Sequence, residues 1–434
     1  MKFQAYGIKD IDQIQQLRRL SEADRFAIKV VANVLPFRVN TYVIEQLIDW
    51  NNIPLDPIYQ ISFPQPGMLS SRHFHEFATL LKENAPSDQR RAAATKIHKE
   101  LNPHPAGQQT LNVPKLDARP IEGVQHKYRE TVLFFPRQGQ SCFTYCTFCF
   151  RWPQFVREKE LRIAASNSDA LYAYLQSQPE VTDLLVTGGD PLVMKTSLLA
   201  RYLTPLLREE FSHIQNIRIG TKALSYWPFR FLTDSDADDL LRLFETVVEK
   251  GRQLALMVHF NHWQELETEP VQKAISRLRS AGVILRSQSP ILAHVNDAPD
   301  VWRIMWQKQL QLGIIPYYMF AVRDTGARNY FEIPLVKCWE IYRQALRQVS
   351  GLARTVRGPS MSCGPGKIEL QGIAEVMGQK VMVLRFIQGR KSTWVQQPFF
   401  AEYNPDATWL DHLRPAFGEE KFFFEDEYNA MLSR

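Results

Sequence analysis

The chain has 434 residues, 45% of them hydrophobic, enough to bury a substantial core in two or three lobes or in one large barrel with additions. Its formal charge of +6 comes from lysines and arginines scattered among acids rather than gathered in runs, which gives nucleic-acid binding no support. Five cysteines in so long a chain make no disulfide framework, no run of eighteen apolar residues is present, and the start lacks an apolar signal region, so a cytoplasmic protein with no membrane span is expected.

Apolar spacing from Asp24 to Val34, from Val43 to Ile48 and from Phe77 to Leu81 predicts a helical N-terminal lobe, interrupted at Pro54, Pro57, Pro64 and Pro66. No catalytic cluster stands out there, so its expected role is packing and capping. Residues 102–122 are proline-rich without periodicity and read as a linker, which closes a first segment at 122.

A repeating unit follows, in which a short apolar run leads through a loop into an amphipathic helix. Strands are expected to start at Thr131, Asp183, Asn216, Leu254, Val283 and Ile315. Helices are expected from Ser168 to Gln176, Thr196 to Glu210, Asp236 to Lys250, Glu269 to Ser280, Asp300 to Gln311 and Leu335 to Val349. Such alternation implies parallel strands with right-handed crossovers. The expected fold class is α/β, a partial (β/α)6 TIM-like barrel over residues 123–350, with a C-terminal segment, 351–434, that carries a hairpin from about 374 to 399.

In a barrel of this kind function gathers where strands end. Cys142, Cys146 and Cys149 follow the first strand. Thr187, Gly188, Gly189, Asp190 and Pro191 follow the second, and Thr221 and Lys222 the third. His259, Asn261 and His262 end the fourth, Gln288 the fifth, and Arg323 and Asp324 the sixth. Paired glycines after a strand often mark only a tight turn, but at this mouth they would let backbone approach a ligand. Histidines are commonly hydrogen-bonded core residues and stand here as pocket candidates. Gly364, Pro365 and Gly366 form a turn before Lys367, for which a surface lysine is the ordinary explanation. Residues 400–434 are acidic and aromatic and show no functional sign.

The three cysteines, spaced C-x3-C-x2-C, carry the chemistry. Three thiolates can ligate three corners of a 4Fe-4S cluster and leave the fourth iron open to bind and reduce a small molecule. Zinc, which would want a fourth ligand that neither Cys338 nor Cys363 supplies from a second paired cluster, and three buried structural cysteines are the alternatives.

With Phe148 before the last cysteine, the motif resembles that of radical S-adenosylmethionine enzymes. From about residue 30 to 400 the chain resembles the lysine 2,3-aminomutase family of radical S-adenosylmethionine, pyridoxal phosphate-dependent enzymes. The matched blocks are GVQHKY at 123, CFTYCTFCFR at 142, LLVTGGDPL at 184, RIGTKA at 218, HFNH at 259, SQSPIL at 287, PYYMF at 316, SGLARTV at 350 and CGPGK at 363. The resemblance implies an isomerase. In it an adenosyl radical takes a substrate hydrogen and the amino group moves from C2 to C3, with pyridoxal phosphate spreading the unpaired electron.

Carried over by position, Cys142, Cys146 and Cys149 would hold the cluster; Gly188, Gly189 and Asp190 could grip the methionine part of S-adenosylmethionine, and His259, Gln288 and Lys127 are further cofactor-binding candidates. Lys367 would form the Schiff base to pyridoxal phosphate, and Arg151 would hold the substrate carboxylate. The partners implied are a small-molecule amino acid, a one-electron reductant of the flavodoxin or ferredoxin kind, and a second copy of the chain.

Several positions depart from the family pattern. Two aspartates that hold the distal ammonium of lysine align with Arg323 and Ser360, so lysine is not expected as the substrate, and a guanidinium suits a distal carboxylate such as that of glutamate. Two arginines that clasp the pyridoxal phosphate group align with Lys127 and Thr131. The run before Cys142 is two residues longer, and Pro365 interrupts the glycines before Lys367. Three readings follow: an aminomutase of a non-lysine, acidic amino acid; a radical enzyme that abstracts hydrogen from a small molecule or protein side chain without pyridoxal phosphate; and a degenerate scaffold, against which the intact cysteine motif argues.

Overall fold

The computed structural model describes residues 1–102, 110–156 and 162–433. The predicted linker therefore lies partly outside the described residues; its second half carries a two-residue strand pair, Lys115–Leu116 with Arg119–Pro120.

An eleven-stranded sheet organises the chain, with its strands side by side in sequence order. They are β1 (Val124–Tyr128), β2 (Thr131–Phe134), β3 (Asp183–Val186), β4 (Asn216–Thr221), β5 (Gln253–His259), β6 (Ile284–Pro290), β7 (Ile315–Phe320), β8 (Arg357–Ser362), β9 (Gly366–Val376), β10 (Gln379–Gly389) and β11 (Pro398–Glu402). From β2 to β8 every pairing is parallel; β1 at one edge and β9 to β11 at the other run antiparallel. All six predicted strands are present. A seventh parallel strand, β8, was not expected, because Arg357-Gly-Pro-Ser-Met-Ser lacks an apolar alternation.

Helices Asp169–Gln176, Thr196–Leu203, Ala237–Glu249, Glu269–Ser280, Pro299–Gln311 and Leu335–Leu346 follow successive strands from β2 to β7. The helix expected from Thr196 to Glu210 stops early, since Pro205 cannot extend its hydrogen-bond ladder and short 3-10 turns take over. Within the strands residues alternate by face: Ile217 and Ile219 of β4 and Leu285 of β6 are buried in the main core, while Arg218, Arg286 and Gln288 take the other face.

That second face is concave. Lys127 near the end of β1 donates a hydrogen bond to the carbonyl of Cys363, just past β8. Seven strand spacings separate these strands, about 33 Å in a flat sheet, so the sheet bends until β1 lies near the end of β8. Arg390 adds a second tie, donating to Asn112 at 2.5 Å.

One apolar cluster runs from Ile11 to Val356 and joins the N-terminal helices to the sheet. Glu22–Ala32 and Ser71–Lys82 are capped by Ser21 and Ser70, whose hydroxyls accept from Asp24 N and His73 N. The apolar spacing at 43 forms only a single π turn, Val43–Leu47. A second cluster gathers Ile368, Leu384, Phe386, Trp394, Phe399 and Phe424. The hairpin starts and ends earlier in the chain than expected, with arms β9 and β10 turning at Met377 and Gly378, and the aromatic tail packs against it. Among the described residues no helix is long and apolar enough to cross a membrane.

Candidate functional site

The cysteine loop leaves β2 and is clasped by the N-terminal lobe. Tyr145 N donates to Arg38 O at 2.8 Å, Thr147 N to Ile61 O at 3.0 Å and the Thr147 hydroxyl to Gln60 O at 2.8 Å. Asn40, fully buried, donates through its amide to Thr144 Oγ1, Phe143 O and Tyr226 O at 3.0, 3.3 and 2.9 Å. The lobe expected only to pack and cap therefore also shapes this loop.

All three cysteines are free and half-buried. Burial pushes every thiol up, Cys146 to about 11, Cys149 to about 12 and Cys142 well above the usual thiol value, and the neighbouring thiols add to the rise at Cys142 and Cys149. Three half-buried sulfurs that repel one another as thiolates are a donor set that lacks positive charge, which an iron-sulfur cluster supplies. Among the described residues no three or more His, Cys, Asp or Glu side chains are placed around a single metal ion. A cubane asks for a different arrangement, one thiolate on each of three irons.

The glycine turn after β3 is built against this loop. A Cβ on Gly188, whose φ is +139°, would lie 2.1 Å from the Gln140 amide, and one on Gly189 would lie 2.4 Å from Ser141 O. Asp190 N donates to Ser141 O at 2.6 Å. Its carboxylate, 3% exposed as a residue, accepts from Leu192 N, Thr221 Oγ1 and Lys222 N at 3.0, 2.8 and 2.8 Å. Burial raises Asp190 to about 6 against the pull of those donors. Asp190 thus ties the ends of β3 and β4 to the cysteine loop.

Lys222 points its amine at Glu265 Oε1 (2.5 Å), Asn261 Oδ1 (2.9 Å) and His259 O (3.2 Å), and covers the Tyr226 ring at 4.5 Å. Glu265 also accepts from the Ser225 hydroxyl and from Asn261 N and His262 N. The Tyr226 hydroxyl is 3.6 Å from Cys146 Sγ. The His259 ring stacks on Phe148 at 6.3 Å, and burial followed by the Lys222 charge lowers it to about 3, so it is a neutral imidazole. His262 accepts from Gln264 N and caps a short turn, a structural role. Gln288 lies in register with His259 and Tyr318 on the concave face.

Cations stand just after the cysteine loop and past the end of β7. Arg151 lies 4.7 Å from the Phe135 ring and 5.0 Å from that of Phe150; Arg323 lies 5.2 Å from the same Phe150 ring. Burial lowers Arg151 to about 10, and Arg323 contributes to the fall. Arg323 and Asp324 form a long ion pair, Nε to Oδ1 at 3.7 Å, in which both of these buried atoms lack a hydrogen-bond partner. Lys127, tied to Cys363 O, is lowered to about 7, chiefly by burial.

Lys367 is not the surface lysine of the ordinary explanation. Its amine donates to Gln388 Oε1 at 3.1 Å and covers the Tyr318 ring at 4.0 Å, and burial, then Arg218, Arg357 and Lys127, drive it well below the usual lysine range. Ser360 is buried in β8, with its hydroxyl on Met319 O, and Thr131 is buried at the start of β2.

In comparisons with known proteins, no family model matches the chain. A putative L-lysine 2,3-aminomutase of Aquifex aeolicus is 30% identical over 414 residues, which span 95% of this chain and 97% of that protein. The chain belongs to the lysine 2,3-aminomutase family. L-lysine 2,3-aminomutases of Methanococcus maripaludis and Bacillus subtilis are 26% and 25% identical over 410 and 366 residues, covering 94% and 84% of this chain and 83% and 67% of those proteins. Among solved structures, Streptococcus suis SuiB bound to precursor peptide SuiA matches with a TM-score of 0.36 and 12% identity over 63% of this chain and 57% of that one, too slight a likeness to argue from.

For this member of the lysine 2,3-aminomutase family, the residues that sequence reasoning missed are Asn40, Tyr226 and Glu265. Each lies far along the chain from the group it serves, and no local pattern marks any of them.

Proposed function

We propose that the chain is a radical S-adenosylmethionine 2,3-aminomutase of an acidic amino acid, with glutamate the first to test. One observation carries the substrate. Two guanidinium groups, Arg151 and Arg323, share the Phe150 ring, and neither is hydrogen-bonded to a carboxylate among the described residues, Arg323 having only the 3.7 Å ion pair with Asp324. A substrate with two carboxylates meets both, whereas the ammonium of lysine would meet a like charge. Arg151 would take the α-carboxylate and Arg323, 14% exposed, the distal one.

Cys142, Cys146 and Cys149 would hold the 4Fe-4S cluster, and Lys367, desolvated and among cations, has the lowered basicity of an amine that holds pyridoxal phosphate. When bound, these groups and S-adenosylmethionine supply one-electron cleavage, hydrogen abstraction and delocalisation of the resulting spin. The chain's own residues orient and exclude water. Neutral His259 and Gln288 border the S-adenosylmethionine site, and Gly188, Gly189 and Asp190 shape it by pressing the glycine turn onto Ser141. The bent sheet supports a partial barrel, and the chemistry supports a cytoplasmic setting and an electron donor of the flavodoxin or ferredoxin kind.

A second reading, radical chemistry without pyridoxal phosphate, is favoured by Thr131 and by the engagement of Lys127 with Cys363 O, since neither then offers a free guanidinium to phosphate. Anaerobic reconstitution, borohydride reduction and peptide mass analysis separate the two. A pyridoxyl group on Lys367, with conversion of glutamate to its β-amino isomer, is expected. A cluster-loaded protein that cleaves S-adenosylmethionine but carries no adduct would establish the second reading.

A further inference from the structure

The concave face holds a second group of cations, apart from Arg151 and Arg323. Arg218 has a carboxylate, with its Nε 2.8 Å from Asp183 Oδ1. Arg286 and Arg357 have no hydrogen bond or ion pair among the described residues and rest instead on tyrosine rings. Arg286 lies 5.1 Å from the Tyr317 ring, and Arg357 lies 4.4 Å from Tyr317 and 4.3 Å from Tyr318. Lys367 Nζ is 4.0 Å from that same Tyr318 ring, which bounds its separation from the Arg357 guanidinium at about 8 Å.

Three guanidiniums and an amine served by one carboxylate repel one another, and the repulsion is felt at Lys367, where Arg218 and Arg357 follow burial as causes of its lowered basicity. A protein tolerates such an excess where an anion completes it. A single carboxylate would leave much of the charge unmet, whereas a phosphate monoester carries close to two charges and oxygens enough for two forked guanidiniums.

We propose that Arg286 and Arg357, with Arg218 beside them, form a phosphate subsite, and that it takes the phosphate group of the pyridoxal phosphate held at Lys367. The assignment rests on the reading of Lys367 given above. It gives this chain a phosphate clasp on β4, β6 and β8 in place of guanidiniums at positions 127 and 131, which here are a lysine bound to Cys363 O and a buried threonine.

The test uses the full chain without added cofactor and inorganic phosphate as the first probe. At matched ionic strength, phosphate should raise the melting temperature of the wild type above its value in chloride, and the gain should shrink in Arg286→Gln and in Arg357→Gln. Arg286→Lys and Arg357→Lys, which keep the charge, should restore part of it, and far-ultraviolet circular dichroism verifies that each variant is folded. The second probe compares pyridoxal phosphate with pyridoxal by equilibrium binding. Arg357→Gln should weaken the phosphate ester about ten- to a hundredfold and pyridoxal hardly at all. A phosphate gain that is absent in the wild type, or equal in all variants, overturns the subsite. A gain that depends on the arginines in a protein that borohydride leaves unmodified at Lys367 supports the subsite and overturns the pyridoxal reading alone.

Discussion

Lys222 Nζ and Glu265 Oε1 lie 2.5 Å apart, and the Glu265 side chain has no exposed surface. The pair joins the end of β4 to the loop after β5, and Lys222 also covers the Tyr226 ring beside Cys146. Removing one partner from a buried, hydrogen-bonded ion pair leaves an uncompensated charge, at a cost of about 3–5 kcal/mol. Glu265→Gln should therefore lower the stability of the protein by that order in denaturant titrations. Lys222→Met combined with Glu265→Gln should lose less than the two single changes together. Additive losses would show that the two residues do not act as a pair.

Asn40 predicts a separate effect in the N-terminal lobe. Its amide satisfies Phe143 O and Tyr226 O, which belong to elements about a hundred and more residues away. Asn40→Ala leaves both carbonyls short of a donor, for a loss of about 1–3 kcal/mol. It should also reduce the iron and sulfide retained per chain after anaerobic reconstitution, because the cysteine loop loses its buried tie. Full retention at reduced stability would separate the fold's need for Asn40 from the cluster's.

The comparison between sequence and structure turns on range. β2 to β7 were legible because each carries its own apolar run, and the strand-end positions of the cysteines, Gly188, His259 and Arg323 followed from that alternation. β8 was not, since its contacts with β7 and β9, rather than its composition, make it a strand. The Lys222–Glu265 pair spans 43 residues and the Asn40 ties span more than a hundred, so no window of sequence contains them. Adjacent Arg323 and Asp324 mislead in the opposite sense: neighbours in sequence, they form no hydrogen bond with each other.

Lys127 makes stability depend on pH in a direction that can be worked out. The folded chain gives up the Lys127 proton near 7, whereas the unfolded chain keeps it up to the ordinary lysine value of 10.5. Above about 7 the unfolded state binds more protons, so stability rises with pH; below it both states are charged and the full burial cost is present. Lys367 acts in the same sense. The raised thiols oppose it once the unfolded chain's cysteines ionise, so the window to examine is about pH 7 to 8.5. There the cofactor-free protein should gain stability with rising pH, at up to about 1.4 kcal/mol per unit for each such lysine. Lys127→Met should flatten the gain; an unchanged slope would place the effect elsewhere.

Arg323 decides the substrate if the proposed function holds. Its guanidinium stacks on Phe150 beside Arg151, and its Nε lacks a partner. A distal carboxylate would supply one through a charge-assisted hydrogen bond, a contact that contributes about 1.5–3 kcal/mol. Arg323→Gln should then lower kcat/KM for glutamate about ten- to a hundredfold. Arg323→Asp should lower it further by placing like charges together, while admitting the ammonium of lysine. Cleavage of S-adenosylmethionine in the absence of an amino acid serves as the control, since Arg323 has no part in holding the cysteines. Undiminished glutamate turnover in Arg323→Asp would remove Arg323 from substrate recognition and leave it as the partner of Asp324.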